Sequence, residues 1–124
     1  MKKLLYLGLL SVCVLLGSCV EKNVSNAFDK VERYMDVYPD SALLLLEQIP
    51  HPEKLRGKQR ADYALLLTQA QYRSNIVATS DSLINIAVGY YQDKDVEKRT
   101  ASLLYKGGVL KDMGKDDEAM LVYK

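Results

Sequence analysis

The stretch TASLLYKGGVLKDMGKDDEAMLVY, Thr100 to Tyr123, is the key to the architecture of this chain. Gly114 stands where a helix places its C′ residue, the left-handed position that ends it. Asp116 or Asp117 is placed to N-cap a second helix, in which Ala119, Met120 and Tyr123 recur at helical spacing. The segment therefore reads as a long helix from about Val96 to Met113, a hinge, and the opening turns of a second helix. It is a helical hairpin.

Upstream, the same arrangement recurs. Asn26 can cap a helix whose apolar positions are Ala27, Phe28, Val31, Tyr34, Met35 and Tyr38, a spacing of three and four that makes one buried face. Pro39 breaks that helix, Asp40 caps "SALLLLEQI", and Pro50 ends it in the connector "PHPE". A longer helix is expected from about Lys54 to Arg73. "SNIVATS" is a loop, and Asp81 caps "SLINIAVGYYQ". With three prolines and seven glycines in 124 residues, the punctuation suits long helices better than many short strands.

The second helices resemble one another. "PDSALLLLEQI", "SDSLINIAVGYY" and "KDDEAMLVY" each carry an acidic cap, one further polar or acidic residue, and an apolar face. Asp40 and Asp81 are 41 residues apart, and Asp81 and Asp117 are 36 apart. Periods of this size belong to stacked helical hairpins, none of which can bury its apolar face alone. The expected fold is all-α, about two and a half to three antiparallel hairpins in a short solenoid. The bland alternative is an unrelated helical bundle.

The last hairpin resembles a tetratricopeptide repeat, whose skeleton is a large residue, Leu-Gly and an aromatic in the first helix, then Ala-x₃-aromatic in the second. Leu103 takes the large-residue place, Gly107 the glycine, Leu110 the first aromatic, Gly114 the turn, and Ala119 with Tyr123 the final pair. Lys106 replaces the usual leucine, and the tryptophan-type position is aliphatic. The resemblance implies that Gly107 and Ala119 are small because two helices cross closely there. It also implies a concave face formed by first helices, which in this register holds Ala101, Leu104, Gly108, Lys111 and Asp112. Eight tyrosines lie beyond residue 18. They read either as rings at the edges of hairpin packing or as part of a ligand or peptide groove on that face. Counted from Thr100, Lys124 is the twenty-fifth position of a unit of about 34, so the last repeat is expected to be incomplete, with residues from Asp116 onward frayed and Leu110 and Tyr123 in an apolar patch.

The opening residues carry an address. Lys2 and Lys3 precede an uncharged apolar run from Leu4 to Leu16, a secretory signal too short for a comfortable membrane span. The run ends in Leu16-Gly17-Ser18-Cys19, which resembles a bacterial lipobox. The division expected is a signal peptide at 1–18, a lipidated cysteine and tether at 19–25, and a helical repeat domain at 26–124. Cys13 would leave with the signal and Cys19 alone would remain, so no internal disulfide is possible. An ordinary cleaved signal is the plainer reading. The resemblance implies acylation, with palmitate-type chains holding Cys19 at a membrane. Each buried CH₂ contributes about 0.8 kcal/mol.

After residue 18 the chain has fifteen basic and sixteen acidic residues, too balanced for a nucleic-acid footprint. Catalytic candidates are scarce. His51 lies between Pro50 and Pro52 in a connector, with no metal set around it. Glu32, Asp36, Glu97 and Asp112 fall on faces expected to be solvated, Ser41, Ser80 and Ser82 read as capping residues, and Gly107-Gly108 lies within a helix rather than a phosphate loop. No catalytic residue, metal or cofactor is expected. The whole resembles the N-terminal part of a tetratricopeptide-repeat lipoprotein of Gram-negative bacteria. That implies a lipid-anchored scaffold in the cell envelope, periplasmic or at the outer membrane, which binds a protein or peptide. Two alternatives have their own signals. One is the extracytoplasmic sensory part of a longer regulator, since "YPDSALLLLEQI" and "RADYALLLTQAQY" resemble the start of such proteins. The other is a fragment of a nutrient-binding outer-membrane lipoprotein of the starch-utilisation kind, which the absence of Trp counts against.

Overall fold

The computed structural model describes residues 23–123, and every regular element among them is helical. In chain order these are α1 (23–35), α2 (Pro39–Glu47), a 3₁₀ turn (Pro52–Lys54), α3 (Gly57–Arg73), α4 (Ser82–Tyr91), α5 (Val96–Asp112) and α6 (Asp116–Val122). The expected signal at 1–18, the lipobox-like stretch and Cys19 lie outside the described residues.

Several boundaries differ from expectation for local reasons. Asn26 does not cap α1: residues 23–25, expected in a tether, are already helical, and Val24 is buried in the core. Pro39 opens α2 as its first helical residue, where its fixed φ is preorganised and its missing N–H costs nothing. Tyr38 is the N-cap and Asp40 lies in the first turn, where its charge complements the helix dipole. The start of α3 moves from Lys54 to Gly57 because Pro52–Lys54 forms its own 3₁₀ turn, Arg56 is extended, and Gly57 turns the chain at φ +57°. Asp81 precedes α4 without a side-chain cap, and the hydroxyl of Ser80 accepts from the Ser82 amide instead, at 3.1 Å. Lys115, not an aspartate, is the N-cap of α6, whose first turn holds Asp116, Asp117 and Glu118. Asp95 does cap its helix, accepting from the Lys98 amide at 3.2 Å.

The two longest helices finish alike. Gly114 has φ +77°, its N–H reaches the Lys111 carbonyl at 2.9 Å, and the Lys115 N–H reaches Leu110 at 2.8 Å. At the end of α3, Asn75 has φ +62°, with bonds from Asn75 to Tyr72 at 3.2 Å and from Ile76 to Gln71 at 2.9 Å. Both are Schellman closures, in which a left-handed residue lets two successive amides satisfy terminal carbonyls. Asparagine stands in the first hinge where glycine stands in the second, and it is a residue that tolerates that conformation.

Packing runs in chain order. α2 lies on α3, α3 on α4, α4 on α5 and α5 on α6, and α3 also touches α5. Two cores result. One gathers Val24, Phe28, Val31 and Met35 of α1 with Ala42 and Leu46 of α2, Ile49, and Leu66 and Ala70 of α3. The other joins Ala64 and Leu65 of α3 to Ile84 and Ala87 of α4 and Tyr105 and Val109 of α5. Helix α3 is thus buried on two sides, each side filled by a different pair of helices. This is an all-α, repeat-like stack of helical hairpins. Leu46 and Ile84 are the largest of its fully buried side chains, each contributing about 1.5–3 kcal/mol by leaving water. Leu110, expected in an exposed patch, is buried at 2% exposure, so the patch at that end consists instead of Met120, Leu121 and Tyr123.

Candidate protein-interaction surface

Three helices, α1, α3 and α5, are joined along one face by a single side chain. Arg73 at the last turn of α3 has Nη1 3.0 Å from the Asp36 carboxylate, just beyond α1, and its Nε donates to the Tyr105 hydroxyl of α5 at 3.4 Å. That hydroxyl's contact raises the affinity of the guanidinium for its proton, and Asp36 adds to the effect. Tyr72 stands edge-on to Tyr105 with ring centres 5.9 Å apart. Beneath Tyr72 lies Gly108: a Cβ there would come within 2.9 Å of the ring. The missing side chain lets the ring lie on the α5 backbone.

The residues expected on a concave face fall into two groups. Leu104 is 55% exposed, and Lys111 and Asp112 are exposed too. Gly108 is buried under Tyr72, and Ala101 is half-buried against the second core. The Lys111 ammonium leans away, 5.6 Å from the centre of the Tyr123 ring. Asp112 turns back to the preceding hairpin and accepts the Ala78 N–H at 3.1 Å. Of the repeat-defining residues, Gly107 and Ala119 are buried at the α5–α6 crossing, and a Cβ on Gly107 would overlap the Tyr123 ring. Leu103 is half-buried, and Gly114 forms the hinge.

Between the end of α3, the loop after it and the end of α5 lies an open cleft of about 370 Å³ lined by Tyr72, Asn75, Ile76, Val77 and Asp112. A separate notch of about 30 Å³ shares Tyr72, Ile76 and Asp112 with it and reaches Leu83, Ile84 and Val109. The notch is roomy enough for one water or a methyl group.

A second polar cluster closes the opposite end of α3. Asp62, with its side chain only 12% exposed, accepts from Lys58 Nζ at 2.7 Å, Lys98 Nζ at 2.9 Å and the hydroxyl of buried Tyr91. Burial alone would push the Asp62 carboxyl up, but bonds from Lys58, Lys98 and Tyr91 outweigh it and hold the group below the usual carboxylate range. Burial, reinforced by the bond to Asp62, pushes the Tyr91 phenol well up. The cluster pins α3, α4 and α5 together. Both carboxylate oxygens and the buried phenol hydroxyl have partners, so the cluster acts as a brace between the three helices. Sequence reading missed it, although the Lys58–Asp62 spacing of four was a visible signal.

His51, at φ 51°, is exposed, its Nδ1 3.3 Å from Glu53. Among the described residues, no group of three His, Cys, Asp or Glu side chains is placed to hold a metal ion, and no helix is long and apolar enough to cross a membrane. No protein family, curated protein or solved structure matches the chain.

Proposed function

We propose that this chain is a non-enzymatic, lipid-anchored helical-repeat scaffold of the tetratricopeptide type, which holds a protein partner in the envelope of a Gram-negative bacterium. The observation that carries the reading is the face shared by α1, α3 and α5. It is braced from within by Arg73, Tyr105 and Gly108, yet it leaves Tyr72 and Leu104 49% and 55% exposed. Large apolar groups held on a rigid support are what a binding surface needs, because little ordering entropy remains to be lost on association. The lipobox-like Leu16-Gly17-Ser18-Cys19 supports the anchor, and the paired hinges at Asn75 and Gly114 support the repeat.

The test is photo-crosslinking in cells with a light-activated amino acid at Leu104, compared with Leu44, an exposed leucine of α2. A discrete crosslinked species at Leu104 and none at Leu44 is expected. Equal, diffuse labelling at both positions would remove the support for a dedicated face.

A further inference from the structure

Resting on the scaffold reading, we propose that the cleft between the ends of α3 and α5 is the docking point for a short apolar peptide segment bearing one positive charge. Its walls are mixed: polar Asn75 stands beside three apolar side chains open to solvent, Val77 at 66% exposure and Ile76 and Tyr72 at nearly half. Its rim carries one carboxylate, Asp112. Of the cations nearby in sequence or space, Arg73 pairs with Asp36 and Tyr105, Lys111 lies over the face of Tyr123, and neither Lys111 nor Lys115 pairs with Asp112 among the described residues. Asp112 itself is in no ion pair among the described residues. Its bond from the Ala78 amide uses one oxygen and leaves the other open to a cationic donor.

Charge complementarity therefore selects a lysine, arginine or terminal amine over a carboxylate. Tyr72, Ile76 and Val77 favour leucine-like side chains beside it, and the adjoining notch admits no more than a methyl group. The cleft is also preformed. Asn75 is locked in the hinge by the Asn75–Tyr72 and Ile76–Gln71 bonds, and Asp112 ties down Ala78 on the other side of Ile76 and Val77.

The experiment uses the full chain in non-ionic detergent micelles and two capped tetrapeptides, three leucines with one lysine and three leucines with one glutamate, monitored by amide NMR. The lysine peptide is expected to shift the amides of Ile76, Val77 and Ala78 saturably, while the glutamate peptide does not. Asp112→Asn, which keeps an acceptor for the Ala78 amide, should weaken the lysine peptide about threefold to tenfold, an effect that 0.5 M salt largely erases. Asp116→Asn serves as the control and should change nothing. Equal shifts by both peptides, or shifts unaltered by Asp112→Asn, would overturn the assignment. A crosslink at Leu104 with a silent cleft would overturn it too while leaving the scaffold reading standing.

Discussion

Replacing Asp62 by alanine removes the acceptor that three donors share. Lys58 is 64% exposed in its side chain and returns to water at little cost, so its share is small. Lys98 is 28% exposed and rehydrates only in part. Tyr91 is 2% exposed, and its hydroxyl is left without a partner. An orphaned buried hydroxyl costs about 1–3 kcal/mol, and stripping one member from a buried ion pair costs about 3–5 kcal/mol when the partner is fully enclosed. Partial hydration of Lys98 lowers the second figure, so about 2–4 kcal/mol is expected, a large part of the roughly 5–15 kcal/mol typical of a domain. Tyr91→Phe removes a donor rather than the acceptor and should cost about 1 kcal/mol. Urea unfolding monitored by circular dichroism measures both, and the double variant should cost less than the sum of the two. Acidity gives an independent check. The folded-state pKa of Asp62 is lowered, so its stabilisation is full above the unfolded value near pH 4 and is lost as pH falls through the folded value. The gap between wild type and Asp62→Asn should therefore narrow on acidification. An Asp62→Ala protein within about 0.5 kcal/mol of wild type at pH 7 would show that the cluster is no brace.

Packing and hinge geometry set three further outcomes. Leu46→Ala, at a site with no exposure, should cost about 2–5 kcal/mol, while Leu44→Ala on the same helix should stay within about 0.5 kcal/mol, both read from urea midpoints. Gly114→Ala places a side chain at φ +77° and should cost about 1 kcal/mol or more in the same assay, whereas Asn75→Gly should be nearly neutral. Ser74 has a buried hydroxyl without a hydrogen-bond partner among the described residues, so Ser74→Ala should be neutral or raise the unfolding midpoint.

Residue order makes legible what depends on near neighbours. The limits of α5 can be read to within a residue, because Gly114 and the apolar spacing are both local signals. Of the stripe expected to be buried, Phe28, Val31 and Met35 are, Ala27 is half-buried, and Tyr34 and Tyr38 are exposed, Tyr38 because α1 ends at residue 35 before reaching it. Proline misleads twice. Pro39 could end one helix or begin the next, and only the orientation of α2 decides. The prolines around His51 give no sign that Pro52–Lys54 coils separately and delays α3 to Gly57. The polar contacts are least legible because their partners are distant in sequence: Tyr91 and Lys98 reach Asp62 across 29 and 36 residues, and Arg73 reaches Tyr105 across 32. Asp36 and Asp112 are exposed as expected, but each serves a neighbouring element. Periodicity cannot show that. Register alone puts Gly108 on a face, and the ring of Tyr72 above it emerges only when α3 is stacked on α5.

An envelope scaffold of this kind stands or falls with the attachment of the helical stack to a membrane through Cys19. Incorporation of radioactive palmitate in cells producing wild type, Cys13→Ala and Cys19→Ala chains reaches that attachment without intermediate steps. Label in the first two, none in the third, and release of the Cys19→Ala protein from the membrane fraction are predicted. Equal label in wild type and Cys19→Ala would contradict the anchor and with it the envelope scaffold.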